Sequence, residues 1–274
     1  MPSSRNQKAL QKGAQMDNKR RISLAVFLLT MLFLYLPLMV LIVYSFNDGK
    51  SASWSGFSLR WYQQLFFNSG DLWNAFENSV IIALGSSALA TTIGTLGAIG
   101  ITWYSFAHKR YLKVVSYLPI IVPEIVIGIS LLIFFAGIKF QLSLWTIFIA
   151  HTTFNIPFVL FIIMSRLDEF DYSIIEAAYD LGATEWHALT RVILPVTVPG
   201  IVSGFLMAMT LSMDDFVITF FVAGPGSSTL PLHIYSMIRF GVSPVINAIS
   251  VVLIAGTFIL ALSSRNIQKY MFKK

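Results

Sequence analysis

Three acids sit where acids are expensive. Glu124 lies in PEIVIGISLL at 123–132, and Asp214 and Asp215 lie in LSMDDFVITFFVAGP at 211–225, all inside long apolar runs. An ionised Asp near the centre of a membrane helix costs about 2.5–3.5 kcal/mol on insertion scales. Within the runs there is no Lys or Arg to pair with them. They must therefore face protein, water or a cation, and a cationic solute crossing a central cavity would supply a transient partner. Asp214 and Asp215 are adjacent, so on a helix they point about 100° apart. We expect at least one to face the cavity, and the other to cap a broken turn or bond Ser212 or Thr210. Glu124 follows Pro123 at a helix break, where it either faces the same cavity or satisfies amides freed by the proline. For Phe216, Phe220, Tyr235 and Tyr117, packing or interface anchoring is expected ahead of cation–π contact. His151 reads as a hydrogen-bonded packing residue.

A second constellation is the polar loop EAAYDLGATEWHALTRVILP at 176–195, between two apolar runs. Ser173 and Glu176 fit a capping box. Ala177 and Ala178 favour helix and leave a smooth face, and Gly182 can take the left-handed conformation that ends a helix. A second short helix over about 184–192 then leads into Leu194-Pro195. The loop reads as two short helices hinged at a glycine, a shape that a soluble partner can grip.

Other chemistry is missing from the chain. There is no cysteine, so no disulfide, thiolate zinc site or Fe–S cluster. His108, His151, His187 and His233 are far apart and form no metal-binding pair, and no nucleophile–base constellation is visible. No GxxxxGK[ST] phosphate loop occurs, so the chain cannot hydrolyse ATP alone. The formal charge of +6 would suit nucleic acid in a soluble protein. In this chain its distribution between loops matters more.

The elements that must position these residues are membrane helices. Of 274 residues, 56% are apolar and 12% charged, and the mean hydropathy is +0.73. Soluble domains run about 45–50% apolar and about 25% charged. Apolar runs of about 20 residues predict an all-α membrane protein. Six spans are expected: 22–46, 79–104, 114–136, 143–165, 193–223 and 245–264. Pro119, Pro123 and Pro157 predict kinks or broken turns, and Pro195 and Pro199 predict a bend or a short interfacial segment opening the fifth span. Gly85, Gly94, Gly97 and Gly100 suit close helix packing.

Residues 1–21 are polar and basic and are expected to be an unstructured tail, with Met16 as an alternative start. Residues 22–264 form the membrane domain, with the loop 166–195 inside it, and 265–274 a C-terminal tail. The first run reads as a retained signal anchor. Of the 19 Lys and Arg residues, only Lys50, Arg60, Lys139 and Arg239 fall outside the two tails and the loops 105–113 and 166–192. The positive-inside rule then places both termini and the 176–195 stretch in the cytoplasm. On the opposite face, 47–78 is rich in interfacial aromatics and 224–244 suggests a short amphipathic or re-entrant helix. Either is a candidate surface for an external partner.

Glu176-Ala177-Ala178, then Gly182, then Val192, Leu194 and Pro195, resembles the EAA loop of ATP-binding-cassette importer permeases. Val192 stands where that family usually has isoleucine. The stretches at 123–132, 211–225 and 230–248 are similar to the second permease subunit of bacterial spermidine/putrescine importers, and only the tail at 1–21 falls outside the likeness. The resemblance implies a type I importer permease (MetI-like) fold in a bacterial inner membrane. It implies that 166–195 is a coupling loop seated in a groove on a cytoplasmic ATPase. It further implies two ATPase copies carrying ATP and Mg, a paralogous second permease subunit, and a periplasmic polyamine-binding protein. No cofactor, metal, catalytic site or nucleic acid is expected on this chain itself. Competing readings are an importer of iron, thiamine or phosphonate, a proton-coupled secondary transporter, and a non-transporting scaffold. The unpaired acids and the SMDD segment argue against the first and the last. The EAA loop and the lack of internal repeats argue against the carrier.

Overall fold

The computed structural model describes the backbone of residues 4–50, 53–169, 171, 173–240 and 243–271, and side chains from 19 to 259 within these, residue 240 excepted. All its regular elements are helices: α1 Ser4–Tyr44, α2 Arg60–Phe67, α3 Gly70–Trp103, α4 Lys109–Ile121, α5 Glu124–Gly137 and α6 Leu144–Asp168. They continue as α7 Ser173–Asp180, α8 Glu185–Asp214, α9 Val217–Val222, α10 Leu230–Phe240 and α11 Val245–Met271. Among the described residues, α1 (from Lys19), α3, α6 and α8 are each long and apolar enough to cross a membrane. The pair α4 and α5 makes a fifth span if counted as one. The expected sixth falls on α11, whose described apolar part is Val245–Ile259.

The chain divides into two compact units. In the first (residues 1–69 and 240–274), α11 packs on α1 and α2. Buried Trp61 and Leu65 fix α2, and the Trp61 indole donates to the Asn47 carbonyl at 2.6 Å. Helix α1 begins at Ser4, where an unstructured tail was expected. Lys, Gln, Ala and Arg are good helix formers, and adding residues to an existing helix needs no new nucleus.

The second unit (Gly70–Arg239) is built on α3, α6 and α8, which pack mutually. A Cβ on Gly94 of α3 would lie 2.8 Å from Val159 Cγ1, and one on Gly204 of α8 3.1 Å from the same atom. Buried Val159 is thus a wedge between two glycines, the close approach that lets three backbones pack. Gly85 lies against Phe148 and Gly97 against Leu160, while Gly100 faces open space.

The prolines act differently from expectation in two places. Val122, preceding Pro123, is extended (ψ 131°), as steric clash with the proline ring requires. There α4 and α5 meet at 106°, the broken turn expected at Pro123. Helix α6 runs through Pro157 without interruption. The fifth span is not broken at Pro195 or Pro199. Instead α8 absorbs them with a π-turn at Leu189–Ile193, and the chain breaks at the far end, at Asp215. Pro195 removes one donor and crowds the preceding turn, which a locally wider helix relieves.

Candidate functional site

The loop 166–195 folds as two helical pieces about a glycine. Gly182 has φ +83°, its amide donates to the Tyr179 carbonyl at 2.8 Å, and the Ala183 amide donates to the Ala178 carbonyl at 3.0 Å. These two bonds form a Schellman motif and end α7. Thr184 then opens α8, its hydroxyl oxygen accepting from the His187 amide at 3.4 Å. The start of α7 differs from the capping box expected. Ser173 is the first helical residue, and its amide donates to Asp171 Oδ1 at 3.0 Å. Asp171 thus supplies the acceptor, and the Ser173 amide and hydroxyl hold its carboxyl below the usual carboxylate range.

Ile175 is the anchor of α7, buried in a cluster with Ile99, Leu167 and Ile193. That leaves Glu176, Ala177 and Gly182 exposed and Ala178 half-buried, with Leu194 and Pro195 exposed at the start of the next span. Apolar side chains surround the hinge in the open: Ile174, Tyr179, Leu181 at 89% exposure and Trp186 at 68%. Sequence reading passed over Leu181 and Trp186, although large apolar residues in a charged loop were a usable signal.

The three acids separate. Asp215 is 8% exposed and sits in the break between α8 and α9. It accepts from the Ile218 amide at 3.2 Å, the Thr219 amide at 2.8 Å, the Thr219 hydroxyl at 2.8 Å and His151 Nε2 at 3.1 Å. His151, 2% exposed on α6, also meets the Ser212 hydroxyl through Nδ1 at 2.6 Å, and Ser212 meets Ser86 of α3 at 3.3 Å. Asp215 is therefore a satisfied structural acceptor joining the break to α6. Asp214 and Glu124 are exposed, and neither forms a salt bridge with Lys or Arg among the described residues. Glu124 lies close enough to interact electrostatically with both aspartates. Beside the break, Phe216 packs on Tyr235 of α10 at 4.5 Å between ring centroids, and Phe220 closes the cluster. Tyr117 instead packs edge-on against Phe161, as a packing residue does. Among the described residues no three His, Asp or Glu side chains are placed to hold a metal ion.

Long apolar helices, an exposed hinged loop and acids beside a helix break that pair with no Lys or Arg among the described residues define a membrane protein of the solute-translocating class. Residues 90–274 match the family described as "Binding-protein-dependent transport system inner membrane component", and the chain belongs to that family. It is 39% identical over 238 residues to the spermidine/putrescine transport system permease protein PotC of Escherichia coli K12, covering 86% of this chain and 90% of that one. It is 37% identical over 245 residues to the putrescine transport system permease protein PotI of the same strain, covering 86% and 87%. Among solved structures, a bacterial ABC transporter that imports alginate superposes with a TM-score of 0.78 at 16% identity, covering 97% of this chain and 100% of that one. The inward-facing MetNI methionine ABC transporter matches with a TM-score of 0.58 at 18% identity, covering 74% and 95%. These likenesses establish the type I importer permease fold.

Proposed function

We propose that this chain is a membrane-spanning permease subunit of an ATP-driven importer of polyamines, spermidine and putrescine among them. The observation that carries the reading is the pair Glu124 and Asp214. Both carboxylates are exposed in apolar, span-forming segments and interact electrostatically, and among the described residues neither pairs with a Lys or Arg. A polyamine brings the missing positive charges, and the Phe216–Tyr235 cluster offers ring faces to an ammonium group. The relatives named for spermidine and putrescine transport support the same substrate class. Asp215 lies outside the contact set, because its acceptors are already filled.

Glu176, Ala177, Ala178, Gly182, Leu194 and Pro195 form the coupling surface for a separate ATPase subunit, which binds ATP and Mg. The exposed Leu181 and Trp186 add the apolar area that such docking needs. A paralogous permease subunit, two ATPase copies and a periplasmic polyamine-binding protein complete the machine. The bias of basic residues supports a cytoplasmic location for both termini and α7 in a bacterial cell. The deciding experiment is uptake of radiolabelled spermidine and putrescine in cells lacking this gene, with and without a restored copy. Uptake that requires the gene and ATP, and survives collapse of the proton gradient, supports the reading. Uptake indifferent to the gene would discard the polyamine as substrate.

A further inference from the structure

The buried chain Ser86–Ser212–His151–Asp215 crosses α3, α8 and α6 and ends at the break that precedes α9. A carboxylate only accepts hydrogen bonds, so Nε2 of His151 carries the proton in its bond to Asp215. The same nitrogen lies 2.9 Å from Thr219 Oγ1, so the imidazole meets both ends of the Asp215–Thr219 cap. Asp215 in turn holds the first amides of α9. Asp214 is its immediate neighbour in the chain, the last residue of α8 before the backbone turns extended at Asp215 (ψ 120°).

We infer that His151 is a positioning residue: its Nε2 bond to Asp215 locks the break between α8 and α9 and so aims Asp214 out of the helix bundle. This rests on the proposed reading only for what the Asp214 carboxylate meets once it is aimed. The atom-level claim separates two substitutions. Glutamine places its amide nitrogen near the Nε2 position and keeps a donor for Asp215. Asparagine is shorter and reaches only toward the Nδ1 position, keeping a partner for Ser212 and losing Asp215.

The chain has no cysteine, so Asp214→Cys gives it a single reporter thiol, read on this subunit after it is separated from the assembled transporter. Its labelling rate with a water-soluble maleimide would be compared in the His151, His151→Gln and His151→Asn backgrounds, in membranes holding equal amounts of protein. Loss of one hydrogen bond shifts a conformational equilibrium about fivefold, so His151→Asn is expected to change labelling by that order, with His151→Gln matching the parent. With native Asp214, polyamine uptake should follow the same order, with the loss in KM rather than in the amount of assembled complex. Equal labelling in all three backgrounds, or an equal change in both variants, would overturn the inference. The labelling pattern does not depend on the solute carried. If it discriminates while the parent carries no polyamine, the substrate reading fails and the role of His151 stands.

Discussion

Asp214 and Asp215 differ in role because one of them finds donors and the other does not. Asp215 accepts from two amides, a hydroxyl and an imidazole, whereas Asp214 is left exposed beside it. An amide at 215 would keep one oxygen for these donors and bring two hydrogens toward them. Asp215→Asn should therefore orphan at least one buried donor, at a cost of about 1–3 kcal/mol. The expected result is a lower unfolding midpoint of the purified complex together with reduced uptake. Asp214→Asn removes a charge that pairs with no Lys or Arg among the described residues. It should leave the midpoint in place and slow polyamine uptake. Equal midpoints for the two variants would contradict the division of labour, and so would unchanged uptake with Asp214→Asn. The presence of costly acids could be read from sequence, as could the role of His151 in packing. Their sorting could not, since His151 and Asp215 are 64 positions apart and only the packing of α6 against the break brings them together.

Among the elements, α7 and its hinge followed the sequence most closely. Gly182 could be read as a helix terminator because few other residues adopt a positive φ, and φ +83° with the two closing bonds agrees. A Cβ there would meet nothing within 4 Å, so the cost of Gly182→Ala is conformational, about 1–2 kcal/mol. That strain should loosen the angle between α7 and α8 and lower transport-coupled ATP hydrolysis while the spans stay folded. ATPase co-purification and turnover would measure it, and wild-type values of both would remove the hinge from coupling. Leu181→Ala or Trp186→Ala should weaken ATPase retention without affecting the hinge. Less could be read at the two ends of α8. Two prolines drew attention to its start, yet a π-turn absorbs them and the chain breaks at Asp215. Proline marks where a donor is lost, and neighbouring turns decide whether the helix breaks. At Gly94 the packing is tight in a checkable way. Gly94→Ala would drive Val159 and the Leu160 backbone off α3, and should destabilise the second unit by about 1–3 kcal/mol. A denaturation series on the purified complex would show it.

Taken whole, the molecule is incomplete by its own surfaces. The span of α1 from Lys19 to Tyr44 buries none of its apolar window within the chain, so lipid or another subunit must cover it. One chain also carries one α7, with its exposed Leu181 and Trp186, so under the proposed function it offers one docking site for an ATPase copy. In the proposed assembly the second of two ATPase copies takes its docking helix from another permease chain. The proposed assembly pairs this chain with a paralogue rather than a second copy, and the acids support that choice. Glu124 and Asp214 would be duplicated across a two-fold axis in a homodimer, doubling an uncompensated negative charge within the membrane. Native mass spectrometry of the complex extracted in mild detergent tests this directly. The expected assembly holds one copy of this chain, one paralogous permease and two ATPase copies. This chain expressed without the paralogue should retain at most one ATPase copy. A stable complex with two copies of this chain and no paralogue would show that the acids tolerate duplication, and Glu124 and Asp214 would then need neutralising partners other than the solute.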